Sequence, residues 1–224
     1  MSWTKTVDRF KSPLAAQRMG LFVEALGRFE TGRPLDLGAG HGRFSLLAAD
    51  LGWQVTAVDA RDARFPVDDR VRWVREDVRR YEIGDVDVVA CLGLWYHLTL
   101  DDQITLAKAA YPLPLIIDTH VAVANKRHHA EFAKALTRMQ RTNGLEGRFF
   151  TEPEGFEAEF GSPKSFWPTS ESLRRQVVQA GYDYVYALYP PTRPDRMFFV
   201  VTVANRGAAA ELDTLVGRYT PFID

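Results

Sequence analysis

The stretch Leu35-Asp36-Leu37-Gly38-Ala39-Gly40-His41-Gly42-Arg43-Phe44 constrains the fold more than any other part of the chain. An apolar run ends in three glycines at alternate positions and passes into a segment with helical spacing, which predicts a strand, a tight turn and a helix. Glycine tolerates positive φ and leaves no Cβ between backbone and ligand, so the turn is suited to cradle a small molecule. Its spacing departs from the dinucleotide pattern, because Arg43 stands where Gly-x-Gly-x-x-Gly has its third glycine. Asp36, two residues ahead of the turn, favours a cationic group over an approaching pyrophosphate. Both features count against an NAD-type oxidoreductase.

Around this turn the chain alternates strands and helices. Leu14, Met19, Leu21, Phe22, Ala25, Leu26 and Phe29 recur at helical spacings, so a leading helix is expected over about 13–29, with Pro13 in its first turn. Strands are expected at 35–37, 53–59, 71–74, 86–92 and 113–118, with helices after the glycine turn and over 101–110. A helix starting at Thr169 or Ser170, with Ser170 as its cap, runs to about 180. It precedes strands at 182–188 and 197–204 whose short connection implies antiparallel pairing. The pattern predicts an α/β fold: a Rossmann-like, doubly wound, seven-stranded and mostly parallel sheet with an antiparallel closing hairpin strand. With 224 residues and 46% hydrophobic content, a single domain over 1–224 is expected. Residues 125–169 interrupt the pattern with an expected helix at 129–139 and a glycine-, proline- and phenylalanine-rich run. That length points to a substrate-side insertion or lid. A last short helix is expected at 208–216.

Composition narrows the partners. A net charge of −1 provides no general basic field, so nucleic acid is disfavoured as a partner. The single cysteine, Cys91, excludes an intrachain disulfide framework. The first residues lack a secretory apolar run and no segment is long and apolar enough to span a membrane. The expectation is a cytoplasmic protein, monomer or homodimer, acting on a small molecule.

Asp36 with its glycines, Asp59 ending the second strand, Asp77 beyond the third, and Leu92-Gly93-Leu94-Trp95-Tyr96-His97-Leu98 after the fourth all fall at one crevice of a doubly wound sheet. In this combination the sequence, from about 33 to 204, resembles the class I S-adenosylmethionine-dependent methyltransferases. The resemblance implies S-adenosyl-L-methionine as cofactor. Asp36, Gly38, Ala39, Gly40 and Gly42 would surround its methionine part. Asp59 and Ala60 would meet the ribose hydroxyls, Asp77 and Val78 the adenine, and the backbone at Cys91 and Leu92 the methionine side. Within that superfamily, residues 92–98 and Phe166-Trp167-Pro168-Thr169-Ser170-Glu171-Ser172-Leu173 are similar to the tRNA wobble-uridine carboxymethyltransferases and related small-molecule methyltransferases. Those carboxymethyltransferases hold a carboxylated cofactor through a tyrosine matching Tyr96 and a basic residue near Arg196. The lysine that completes their site lies in an N-terminal extension this sequence lacks, so ordinary methyl transfer is expected.

Methyl transfer from a sulfonium is an in-line displacement. It needs alignment of the nucleophile, and a base only when the nucleophile arrives protonated. His97 and His120 are the candidate bases, with a structural hydrogen bond as the alternative for each, and Asp118 is placed to orient His120. Asp-x-His offers two ligands without a third, so no metal site is expected. His128, His129 and Glu131 read as a solvated helix face. Lys126, Arg127 and Arg138 either meet an anionic substrate or share that face. Trp95, Tyr96, Phe166 and Trp167 are candidates for an acceptor-binding wall, by cation–π attraction or simple enclosure, with core packing as the alternative. Arg196 is a further candidate for substrate binding. Cys91 is not preceded by proline and the fourth strand lacks Asn/Asp-Pro-Pro-Tyr/Phe, so base methylation of DNA is disfavoured. The expected acceptor is oxygen of a hydroxylated or sugar-like molecule. The alternatives are methyl or carboxymethyl transfer to tRNA, or a non-catalytic adenosyl-cofactor-binding module.

Overall fold

The computed structural model describes residues 12–29, 32–152, 164–188 and 193–204. The helix expected at 208–216 and part of the 189–195 connection lie outside the described residues. The leading helix α1 (Pro13–Leu26) starts at Ser12, whose side chain accepts from the Ala15 N–H at 3.2 Å. Then follow β1 (Pro34–Leu37), α2 (Arg43–Asp50), β2 (Val55–Asp59), β3 (Val71–Arg75), β4 (Val88–Leu92), α3 (Leu100–Ala110) and β5 (Leu115–His120). An insertion contributes β6 (Gln140–Thr142), β7 (Leu145–Thr151) and β8 (Lys164–Pro168). The chain returns through α4 (Ser170–Gln179) to β9 (Tyr184–Leu188) and β10 (Arg196–Thr202). None of the described helices is long and apolar enough to cross a membrane.

The main sheet has seven strands in the order β3-β2-β1-β4-β5-β10-β9. β1 to β5 are mutually parallel, and β10 runs antiparallel to both β5 and β9. This is the expected fold class. The chain winds outward from β1 to β3, then crosses back to place β4 on the other side of β1, so the crevice opens at the carboxyl ends of β1 and β4. Side chains alternate between the two faces along each strand. Val55, Ala57, Ala90 and Ile116 pack under α1 and α2 with Phe22, Leu26 and Leu47. Leu35, Leu37, Val89 and Ile117 face α3 and α4 with Leu106, Leu173 and Val177. Each such Val, Leu, Ile or Phe side chain, fully buried, contributes about 1.5–3 kcal/mol of transfer free energy.

The insertion differs from expectation. In place of a helix over 129–139, a 3-10 stretch at Lys126–Lys134 gives way to extended chain, and β6, β7 and β8 form a separate antiparallel sheet. The backbone that a helix would bond internally pairs with β7 instead, Thr137 N–H donating to Phe149 O at 2.9 Å and Thr151 N–H to Ala135 O at 3.1 Å. The buried Arg148 guanidinium donates to the carbonyls of Thr137, Val123 and Ala124 at 2.8, 3.1 and 3.1 Å. The turn joining β6 to β7 is Asn143-Gly144, with φ of +52° and +78°, a backbone that favours these residues in tight hairpins. The amide of Gln103 on α3 joins this sheet to the main one, donating to Trp95 O at 2.9 Å and Phe166 O at 2.6 Å. Thr169, not Ser170, caps α4, accepting from the Ser172 N–H at 3.1 Å.

Candidate active site

The glycine turn is fastened to the end of β2. Gly38 N–H and Ala39 N–H both donate to Val58 O, at 2.8 and 3.1 Å. Gly38, Gly40 and Gly42 all have positive φ, but they serve different ends. A Cβ on Gly42 would sit 2.4 Å from the Trp73 ring and one on Gly38 2.8 Å from Leu94 Cβ, whereas one on Gly40 would meet nothing within 4 Å. Gly38 and Gly40 line a cavity of about 250 Å3, and Gly42 packs beneath it.

Asp59 is on the wall of that cavity. Its Oδ2 accepts from Gly40 N–H and its Oδ1 from Arg61 N–H, both at 2.9 Å. A carboxylate oxygen has room for more than one donor, so the pinned group can still accept from two neighbouring hydroxyls. Ala60, Asp77 and Val78 line the same cavity. Asp77 is gripped by its neighbour: Arg79 Nε lies 2.9 and 3.0 Å from Oδ1 and Oδ2, and Nη2 lies 2.6 Å from Oδ2. These bonds hold the Asp77 carboxyl below its ordinary range. Asp77 therefore shares its oxygens between Arg79 and whatever enters the cavity.

Several expected residues stand elsewhere. Asp36 is 4% exposed and faces α2, where Ser45 Oγ donates to its Oδ2 at 2.5 Å. Its Oδ1 is buried without a partner among the described residues, and burial pushes its pKa up to about 6. The side chains of Cys91 and Leu92 lie in the core, where burial also pushes the Cys91 thiol upward, so only their backbone is left to face a ligand. The residues after β4 that reach the cavity are Gly93 and Leu94, then Tyr96, His97 and Leu98. Trp95 and Trp167 have no exposed surface, so both are packing residues. The strand β4 is buried along its whole length to Leu92, and the turn at Trp95–His97 then folds the indole inward.

At the far end of the cavity, His97 Nδ1 lies 2.6 Å from Glu152 Oε1. The Glu152 side chain is 1% exposed, and its second oxygen has no partner among the described residues. No sequence motif marks Glu152, which reaches His97 only because β7 folds back over the crevice.

His120 does not reach the cavity. Its ring stacks on Trp167 at 4.7 Å and meets Tyr96 and Phe132 edge-on. Burial lowers its pKa to about 4. The carboxylate beside it is Asp195, with Oδ2 3.2 Å from Nδ1, and Asp118 plays no part in orienting it. Asp195 Oδ2 is also 3.7 Å from Nδ1 of His129, which is wholly buried rather than on a solvated face. Burial works to raise the Asp195 carboxyl, but His120, His129 and Arg193 outweigh it and hold it low. No group of three or more metal-ligating side chains among the described residues is arranged to hold an ion. Asp118 instead binds Arg196, Nε to Oδ1 at 2.8 Å and Nη2 to Oδ2 at 2.9 Å, and also Arg18 from α1. The Arg196 guanidinium lies 5.2 Å from the centre of the Tyr96 ring.

Residues 35–112, from β1 to just beyond α3, match the family described as a methyltransferase domain, a class whose cofactor is S-adenosyl-L-methionine. The matched stretch holds the glycine turn, Asp59, Asp77 and His97. Comparison with curated proteins gives no match. Among solved structures, the N-terminal domain of EvdMO1 with S-adenosylhomocysteine bound is similar at a TM-score of 0.63 and 21% identity, over 86% of this chain and 80% of that one. The 1,6-didemethyltoxoflavin-N1-methyltransferase of Burkholderia thailandensis gives a TM-score of 0.57 and 17% identity, over 89% and 82%. The glycopeptide N-methyltransferase MtfA with S-adenosylmethionine gives 0.56 and 19%, over 84% and 87%. These likenesses establish a shared fold.

Proposed function

We propose that the chain transfers the methyl group of S-adenosyl-L-methionine to oxygen of a small hydroxylated or sugar-like acceptor. The observation that carries this reading is Asp59: a carboxylate at the end of β2, held by the Gly40 and Arg61 N–H groups beside a cavity walled by glycine. Such a group suits a ribose diol, and Gly40 leaves room for the amino-acid part of an adenosyl ligand. Asp77, Val78 and Ala60 would hold the adenosine half, and Gly38, Gly40 and Gly93 the methionine half. Asp36 would act from beneath the turn, its unpartnered Oδ1 supplying negative charge. When bound, the cofactor supplies an electrophilic methyl on a sulfonium. The protein's own contribution is alignment and exclusion of water, for which Leu94, Tyr96, His97 and Leu98 supply cavity wall and Glu152 backs His97. A sugar-like acceptor draws support from EvdMO1, a relative in fold that was also crystallised in the presence of S-adenosylhomocysteine and D-fucose.

A second reading is carboxymethyl transfer, including to tRNA. One observation favours it: Arg18 and Arg196 share the single carboxylate Asp118. A Cβ on the cavity residue Gly93 would lie 3.3 and 3.6 Å from their Nη2 atoms. Calorimetric titration with S-adenosylhomocysteine, S-adenosylmethionine, its carboxylated form and NAD separates the readings. Binding of the first two, with NAD silent, is expected. A clear preference for the carboxylated form would favour the second reading, and no binding of any adenosyl sulfonium ligand would overturn both.

A further inference from the structure

We infer that His97 and Glu152 form a proton-accepting pair at the acceptor end of the crevice, and that the acceptor is a neutral hydroxyl group whose proton leaves as oxygen is methylated. The inference rests on the proposed function and adds the acceptor's protonation state and a role for Glu152.

The geometry is that of an oriented imidazole. His97 lines the cavity, is partly exposed at 13%, and places Nδ1 2.6 Å from Oε1 of a carboxylate that is 1% exposed. An ionised carboxylate only accepts, so Nδ1 carries the hydrogen and Nε2 is the basic nitrogen. Among the described residues Glu152 Oε2 is buried with no partner and His97 is what the carboxylate pairs with, so a carboxylate that is costly to bury is turned to His97. Tyr96, its ring 4.1 Å from the imidazole, packs on His97, and Asp59, Arg61, Arg64, Asp77 and Arg79 share the cavity wall. The His120–Asp195 pair has similar chemistry but is closed off beneath Trp167.

A tertiary amine needs no base and a thiol ionises readily near neutral pH, whereas an ammonium group and a hydroxyl both arrive carrying a proton; of these two the proposed function takes the hydroxyl. An aliphatic or phenolic hydroxyl keeps its proton and requires a base. In the step, His97 Nε2 takes the hydroxyl proton while an oxygen electron pair forms the new O–CH3 bond. The S–CH3 bond breaks with its electron pair left on sulfur. Imidazolium, methyl ether and neutral thioether result, and the proton later passes to water. Glu152 is a positioning residue: it fixes the tautomer and stabilises the imidazolium.

The test uses the full chain with S-adenosylhomocysteine bound and 15N-labelled histidine. A strongly downfield Nδ1–H resonance is expected, lost in both His97→Gln and Glu152→Gln while S-adenosylhomocysteine affinity and melting temperature hold. Labelled S-adenosylmethionine is then offered with catechol, methyl glucoside and, as a nucleophile without a proton to lose, pyridine. His97→Gln should lower methylation of a hydroxyl probe by roughly 10²–10⁴-fold. Glu152→Gln should lower it less and move the acid limb of kcat/KM to lower pH, with partial rescue by Glu152→Asp. Hydroxyl methylation unchanged in His97→Gln, or pyridine methylated and neither hydroxyl probe, overturns the pair. If no probe is methylated the resonance decides, its presence supporting the pair and its absence overturning it. Failure of the wild type to bind S-adenosylhomocysteine would instead overturn the proposed function.

Discussion

Asp36 and Asp59 stand at the ends of neighbouring strands, yet their surroundings give them different chemistry. Asp59 keeps both oxygens on backbone N–H groups at the cavity wall, whereas Asp36 lies beneath the turn with one oxygen on Ser45 and the other without a partner among the described residues. Burial raises the Asp36 pKa from 3.8 to about 6. A carboxyl whose folded pKa is raised adds its stability fully below the unfolded pKa, and that stability is lost as pH rises through the folded value. At pH 7 the ionised, buried group therefore costs on the order of 2–3 kcal/mol, since a tenfold change in an acidity constant is worth about 1.4 kcal/mol. Asp36→Asn should be more stable relative to wild type at pH 7 than at pH 4, measured by urea unfolding without ligand. A stability difference independent of pH would show that Asp36 is not held as described.

At the scale of elements, the segment that carries β6, β7 and β8 brings Glu152 to His97 at the edge of the cavity. Gly147 on β7 has Trp167 O 2.4 Å and the Phe166 ring 2.5 Å from the place a Cβ would occupy. Gly147→Ala should separate β7 from β8 and cost about 1–3 kcal/mol, the scale of overpacking in a close-packed site. A melting temperature equal to wild type would contradict the packing. The main sheet is legible in the sequence because its strands are apolar runs separated by helices or short connectors, with glycine or aspartate near several of their ends. In the insertion, Phe132, Ala135, Leu136 and Met139 have the spacing of a helix, although they pack on Trp167 and Phe150 from extended and 3-10 chain. Asn143-Gly144 is the local signal for its hairpin. Glu152 carries no such signal, since its meeting with His97 is made by tertiary folding across 55 residues.

Across the whole molecule, Asp195 joins His120 on β5 to His129 in the insertion, and Asp118 joins α1 to β10 through Arg18 and Arg196. Burial drops the His120 pKa from 6.5 to about 4. Its neutral form therefore stabilises the fold above pH 6.5, and that contribution, about 3 kcal/mol at most, is lost as pH falls toward 4. His120→Gln should flatten this part of the acid limb relative to wild type, followed by denaturant unfolding between pH 7 and 4, and an unchanged limb would contradict it. The His129 contact ties the insertion to the end of β5, beside the crevice where the proposed adenosyl ligand meets Asp59. The most direct measurement is the S-adenosylhomocysteine affinity of Asp59→Ala by calorimetry, with the melting temperature as a control for folding. The expected result is a loss of about 1–3 kcal/mol, or roughly 5- to 150-fold, the scale of a lost hydrogen-bond partner with charge. An affinity equal to wild type would contradict the account.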